Sequence, residues 1–408
     1  MSLEKTAGPL PGPRRLLADV RGVYAANALV AFLFAVSGPV AIILAVGARG
    51  GLSESDIASW IFAAFFVNGI ISIGFSLYYR QPLVFLWSIP GAVLVGPALG
   101  HLSFPEVIGT FLAAGVLMFL LGLSGLVRRA MEAVPMPIVM AMVAGVFLRF
   151  GIDLVHAFRD NLAIALPMTA AFFVLTAAPR AARFLPPLIG ALAVGAFVVW
   201  WTGAFTPPAG DLFAFASPNF YAPRFSWPAM VELVVPLIVT VLVVQNGQGI
   251  AVLNNVGHKV PVNAVTAGCG IGSLVTGLFG SVCTCLTGPV NAILAASGEK
   301  ERHYSAAVLM SALAMGFGLL SPLFTRLLLA APKAFIATLG GLAMLRVLQT
   351  AFVVSFRDRF SFGALVTFVV TVADVPVFNI GAPFWGLVIG LAASWLLERG
   401  DLQRAKRG

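Results

Sequence analysis

Apolar stretches of about 20 residues, the length a helix needs to cross a bilayer, recur through this chain and are separated by short joints where charges, prolines and glycines collect. Breaking the sequence at those joints predicts helices near 22–47, 55–79, 82–100, 105–127, 136–152, 161–178 and 184–203. A second series follows near 231–256, 261–280, 282–297, 304–329, 333–354, 361–379 and 381–398. The longest polar connection, Phe205 to Pro228, divides the stretches into seven and seven. The pattern predicts an all-α polytopic membrane protein of about 14 transmembrane segments. A count of 12 stays open because two stretches are short.

Composition points the same way. Of 408 residues, 60% are hydrophobic and 10% are charged, where a soluble domain carries roughly 25% charged residues. Too little polar surface remains to cover a water-soluble globule, so lipid is the expected solvent, with little chain left for an extramembrane domain. The net charge of +9 lies in the joints, which excludes a nucleic-acid footprint. With the N-terminus placed inside, 18 of the 25 Lys and Arg fall in inside joints and 6 in outside ones. That split satisfies the positive-inside rule and returns both termini to the cytoplasm. Segment 1–21, rich in Pro and Arg, reads as a cytoplasmic segment before a retained first helix rather than as a cleaved signal. Segment 399–408 reads as a basic cytoplasmic tail.

The two halves resemble each other. Pro135 to Arg149 matches Pro332 to Arg346, with Pro and Arg both displaced by 197 positions. Ser88-Ile89-Pro90 and Thr287-Gly288-Pro289 are displaced by 199, and Ser37-Gly38 and Asn246-Gly247 by 209. The expected organisation is a first repeat over 22–203, a linker over 204–230 and a second repeat over 231–398. An odd number of spans per repeat inverts the second copy, as in secondary transporters.

Such transporters place substrate at broken helices, whose N-termini offer unpaired N–H groups and partial positive charge. Two matched breaks are present. The β-prone run Leu83 to Trp87 leads into Ser88, an N-cap residue type, with Pro90 in a first-turn position. Ser281 to Cys285 leads into Thr287 and Pro289 with the same spacing. A pair of simple Ser/Thr-x-Pro kinks is the alternative. A second candidate is Gln245-Asn246-Gly247-Gln248-Gly249, a polar cluster in an apolar helix, which reads either as interhelical hydrogen bonding or as a cavity wall. Ser37-Gly38-Pro39 is the matching weak point in the first half, and Phe34 and Trp87 near the breaks read either as cover for an apolar ligand or, in a chain with 33 Phe, as ordinary lipid-facing packing.

Charges within the bilayer are candidates by default. Arg149 and Arg346 are repeat-related and expected near the ends of their helices, as snorkelling or gate charges. Asp153 is expected to pair with Arg149 four residues away. Glu232 and Asp374 are expected as solvated end charges. His101, His156, His258 and His303 all fall in joints, which supports no buried histidine relay. Cys269, Cys283 and Cys285 lie in apolar context and are assigned no chemistry. Neither a P-loop, a His-Glu-x-x-His metal motif nor a potassium-filter loop is present, so no enzyme activity, metal or cofactor is expected.

Trp87-Ser88-Ile89-Pro90-Gly91-Ala92, Leu148-Arg149-Phe150-Gly151, Gln245-Asn246 with Gly249-Ile250-Ala251, and Phe384-Trp385-Gly386-Leu387 followed by Gly390 together resemble the bacterial benzoate:proton symporters, the BenE family, over about 22–398. The resemblance implies the seven-plus-seven fold shared with nucleobase:cation symporters and sulfate-type anion transporters. In that fold a core domain (helices 1–4 and 8–11) moves against a gate domain (helices 5–7 and 12–14), with substrate between broken helices 3 and 10. It implies a secondary transporter of the bacterial inner membrane that imports a small aromatic carboxylate such as benzoate with a proton, and a homodimer. The binding residues it and the breaks point to are Ser37, Trp87, Ser88, Pro90, Gly91, Gln245, Asn246, Thr287, Gly288 and Asn291. The chain departs from the family pattern at Ile89, Val244, Gln248 and the stretch Thr287 to Asn291, which leaves another anion or a nucleobase open as substrate, and a passive channel as the remoter alternative.

Overall fold

The computed structural model describes residues 3–6, 8, 10–132, 135–178, 185–206, 213–378 and 380–401. Arg180, Arg183 and positions 402–408 of the tail, counted above among inside cations, lie outside the described residues. A short helix α1 (Pro13–Asp19) precedes α2 (Val23–Arg49), α3 (Glu54–Tyr79), strand β1 (Phe85–Trp87) and α4 (Ile89–Ala98). Then come α5 (Phe104–Ser124), α6 (Val127–Glu132), α7 (Met136–Asp160), α8 (Leu162–Ala177) and α9 (Pro187–Trp201). Beyond the connection lie α10 (Trp227–Asn255), α11 (Val262–Gly277), strand β2 (Thr284–Leu286), α12 (Gly288–Leu294) and α13 (His303–Leu319). The chain continues through α14 (Ser321–Leu329), α15 (Lys333–Phe356), α16 (Ser361–Ala373) and α17 (Ala382–Leu397).

Six of these helices, α2, α3, α5, α7, α10 and α15, are each long and apolar enough to cross a membrane. The stretch expected as one span over 304–329 is instead two helices, α13 and α14, bent by 66°, with Pro322 in the first turn of α14. The stretch expected to end at 152 runs on to Asp160. Asp, His and Arg are all compatible with helix, and the stop comes at Asn161, whose side-chain oxygen accepts from Ile164 N and caps α8. Arg149 therefore lies near the middle of α7 and Arg346 near the middle of α15, not at helix ends.

The centre of the molecule is the antiparallel pair β1 and β2, with Phe85 opposite Leu286, Leu86 opposite Cys285 and Trp87 opposite Thr284. Ser88 N donates to Cys283 O and Thr287 N to Val84 O, so the residue after each strand bonds the residue before the other. A two-stranded ribbon leaves outer edges that lipid cannot hydrate. Side chains fill them. Ser72 Oγ accepts from Phe85 N and Ser273 Oγ from Thr284 N. Asn246 Oδ1 accepts from Leu286 N at 2.7 Å, and Asn291 Oδ1 from Val84 N at 3.0 Å. Phe65, Trp87 and Phe317 pack around the ribbon, with ring centroids 4.7 to 4.8 Å apart.

Around this centre α5 packs on α11, α13 on α2 and α3, and α12 on α2 and α10, whereas α7 packs along α15 and α16, α16 along α17 and α8 along α9. Helices in lipid gain little from apolar area and depend on close approach. A Cβ at Gly270 of α11 would sit 2.4 Å from the backbone nitrogen of Phe119 on α5, so only glycine fits.

Candidate functional site

Between the β1–β2 ribbon and helices α7, α8 and α15 lies a cavity of about 750 Å³. Its position follows from how each strand hands over to a helix. Ser88 is extended (φ −74°, ψ 109°) and its Oγ accepts from Gly91 N, so α4 starts as a capped helix with Pro90 in its first turn. Thr287 is also extended (φ −78°, ψ 123°) and Pro289 takes the equivalent place in α12, but the Thr287 hydroxyl does not cap it. Thr287 lines the cavity. On the same side α2 breaks at Ser37 (ψ −94°), where Pro39 supplies no N–H and Ser37 Oγ donates to Phe34 O. Helix α10 widens into a π turn over Thr240–Asn246, which presents Gln245 and Gln248 to the cavity; such turns are frequent at functional sites.

Of the residues expected to bind substrate, Ser37, Trp87, Pro90, Gln245 and Thr287 line this cavity, and Ser88, Gly91, Asn246, Gly288 and Asn291 do not. Ser88 and Gly91 form the cap behind the wall. Gly288 is pressed against Gln248, whose Cβ would lie 2.7 Å from a Cβ placed there. Asn246 and Asn291 are fully buried, and their amides are engaged with the strand edges, Asn291 Nδ2 also donating to Thr287 O at 2.7 Å. Both amides, expected to hydrogen-bond a ligand, are engaged here with the strand edges, where Asn246 is the acceptor for Leu286 N and Asn291 for Val84 N.

The remaining lining is aromatic and aliphatic, with Phe34, Trp87, Phe147, Phe172, Met140, Val143 and Leu342 prominent. Trp87 is 3% exposed and its indole N–H has no acceptor among the described residues. Among the described residues Arg346 is the one charged side chain in the lining, and no carboxylate accompanies it there; its Nη1 donates to Gln349 Oε1 at 3.2 Å. Sequence reasoning missed the face of α15 that Arg346 shares with Leu342 and Thr350, although the spacing of four marks one helical stripe. It also missed Phe147, Phe172 and Thr176, which only packing brings to the site.

The other charges are arranged differently from expectation. Asp153 pairs with Arg49 of α2 rather than with Arg149, and Arg149 reaches across to Asp374 at 2.5 Å, so Asp374 is not a freely solvated end charge. Arg49, Arg149 and Asp153 line a second, smaller cavity with Gly145, Leu148, Ile152 and Val372. Glu232 is 4% exposed and bonded to His101 at 2.8 Å, so it is not a solvated charge either. His258 and His303, expected in open joints, are buried with ring nitrogens 3.2 Å apart. Burial, reinforced by His303 and Lys300, pushes the His258 pKa down to about 4, leaving it neutral at physiological pH. Cys269, Cys283 and Cys285 are free and buried, and the described residues hold no cluster of three metal-ligating side chains.

The chain is 28% identical over 366 residues to inner membrane protein YdcO of Escherichia coli, covering 88% of this chain and 92% of that protein. It is 26% identical over 375 residues to the benzoate membrane transport protein of Acinetobacter baylyi, covering 90% and 93%. The fold resembles the transmembrane domain of a cyanobacterium bicarbonate transporter, BicA, with a TM-score of 0.62 at 15% identity over 94% of this chain and 99% of that one. It also resembles SLC26A9, with a TM-score of 0.64 at 15% identity over 91% of this chain and 64% of that one. The family model for benzoate membrane transport proteins, BenE, matches residues 19–396, and this chain is therefore a member of that family, a multi-pass membrane transporter rather than an enzyme.

Proposed function

We propose that this transporter imports a small aromatic carboxylate, benzoate being the reference case, together with a proton across the bacterial inner membrane. The observation that carries the reading is the chemistry of the cavity wall. Arg346 is the only charged lining residue among the described residues, the Trp87 N–H awaits an acceptor, and Phe34, Trp87, Phe147 and Phe172 supply ring-sized apolar surface. An anion is favoured by the guanidinium and by the absence of a neighbouring carboxylate, and a ring is favoured by the aromatic walls.

Alternating access is the mechanism we infer for it. In this reading 14 segments form two inverted repeats of seven, with both termini cytoplasmic. Helices α2–α5 and α10–α14 move as one body against α7–α9 and α15–α17, as a homodimer in the membrane. Substrate lies where the bodies meet, because the cavity takes walls from α2, α4, α10 and α12 on one side and α7, α8 and α15 on the other. The Arg49–Asp153 pair ties α2 to α7 away from the cavity, and is the contact whose release we assign to opening of the opposite side.

Purified protein in proteoliposomes tests this. Labelled benzoate is expected to enter saturably, faster with an inward proton gradient, and to be competed by substituted benzoates but not by uracil or sulfate. Uptake of uracil or sulfate in preference to benzoate contradicts the substrate assignment, and non-saturable conduction contradicts the carrier mechanism.

A further inference from the structure

We propose that Glu232, held by His101, is the site that binds the transported proton and links it to movement of α17; the inference rests on the proton-coupled reading above. Glu232 is the one carboxylate buried among the described residues, at 4% exposure, near the start of a helix long and apolar enough to cross a membrane. A buried carboxylate is costly to keep without a partner and is a functional candidate for that reason. Its Oε2 lies 2.8 Å from His101 Nε2, on the turn that follows α4. Its Oε1 lies against Gly381 at the start of α17, so closely that a Cβ there would approach to 2.5 Å.

The carboxylate thus touches both proposed moving bodies. His101 follows α4 and Glu232 belongs to α10, whereas Gly381 begins α17. A helix of the length of α17, Ala382–Leu397, directs partial positive charge at a group placed at its start. Withdrawing that helix changes the surroundings of the carboxylate, and by linkage a change in its protonation changes the affinity of the contact. The other charged groups on the elements packed here are few. Glu106 at the start of α5 is held by Ser103, Arg224 lies in the connection before α10, Asp374 before α17 is paired with Arg149, and α17 itself carries no charge.

A second feature connects this site with the substrate cavity. Glu232 sits in a π turn of α10, Met230–Val234, and Gln245 sits in another, Thr240–Asn246. Thirteen residues at 1.5 Å each put the two about 20 Å apart along one helix. Wide turns of this kind are rare overall and frequent at functional sites.

The test is Glu232→Gln, which keeps shape and can still bond His101. In proteoliposomes, benzoate accumulation driven by a proton gradient is expected to fall by about tenfold or more, with loss of the lumenal acidification reported by a trapped pH dye. Benzoate–benzoate exchange, which needs no net proton movement, is expected to fall far less. An infrared pH-difference spectrum of the substrate-free protein is expected to lose a carboxylic acid band in the variant, and His101→Gln to move the pH at which that band appears. Gradient-driven accumulation and acidification at wild-type levels in Glu232→Gln, or a band untouched by the substitution, overturns the proposal. A wild type that carries no benzoate yet shows the Glu232 band retires the substrate reading while supporting the proton site.

Discussion

Arg346→Ala is expected to reduce benzoate uptake by about tenfold to a hundredfold while leaving the protein folded, and Arg346→Glu to abolish uptake. A charge-assisted hydrogen bond to a carboxylate contributes roughly 1.5 to 3 kcal/mol, and cavity water keeps the effect well below the ~4 kcal/mol of two bare charges at 4 Å in a medium of effective dielectric about 20. Reversal adds repulsion of the substrate to loss of the bond. Folding should survive because the guanidinium neutralises no acid among the described residues. Its protein partner is Gln349, one turn away on the same helix, so its removal leaves no orphaned charge behind. Lysine should restore part of the activity, since it keeps the charge but not the planar fork. The measurement is initial uptake in proteoliposomes, with size-exclusion profiles as the control. Wild-type uptake by Arg346→Ala would remove the guanidinium from the binding site.

Asn246→Leu and Asn291→Leu are each expected to destabilise the protein severely rather than to alter its specificity. Removing the Asn291 amide strips Val84 N of its partner and takes one of two donors from Val84 O and Thr287 O, and removing that of Asn246 strips Leu286 N. These groups lie beside a two-stranded ribbon in a lipid-surrounded interior, where no water replaces the lost bonds. Each orphan costs about 1 to 3 kcal/mol, a large share of the ~5 to 15 kcal/mol by which domains are stable. The readout is monodisperse yield and thermal midpoint in detergent, both expected to collapse. Gln245→Leu, on the cavity wall of the same helix, should instead fold normally and lose transport. Normal stability with altered substrate preference in Asn291→Leu would return that amide to the binding site.

What could be read from the sequence, and what could not, follows from the range of each interaction. The two handover points were legible because their signals are local: Ser88 caps its helix with Pro90 in the first turn, and at Thr287, whose hydroxyl does not cap, Pro289 alone marks the start. Trp87 and Gln245 were legible as cavity lining by their adjacency to those breaks. The partners of Asn246 and Asn291 were not, since Leu286 lies 40 positions away and Val84 lies 207 away. A polar residue in an apolar helix announces that it has a partner but not which one. Glu232 near the start of α10 looked like a solvated end charge because hydropathy registers the helix end, whereas its burial depends on His101, 131 positions earlier. Arg149 and Arg346, at matching positions of the two sequence halves, read as helix-end charges, but the lengths of α7 and α15 put both near mid-helix, and only Arg346 faces the large cavity. The matching residue faces the smaller cavity and an aspartate.

The most direct measurement is a structure of the protein with benzoate bound. The expected result is density in the cavity between the strand pair and α15, its carboxylate within hydrogen-bond reach of the Arg346 guanidinium or the Trp87 indole N–H, and its ring against Phe34, Phe147 or Phe172. Benzoate seated elsewhere, or lying in that chamber with its carboxylate turned away from both donors, contradicts the account.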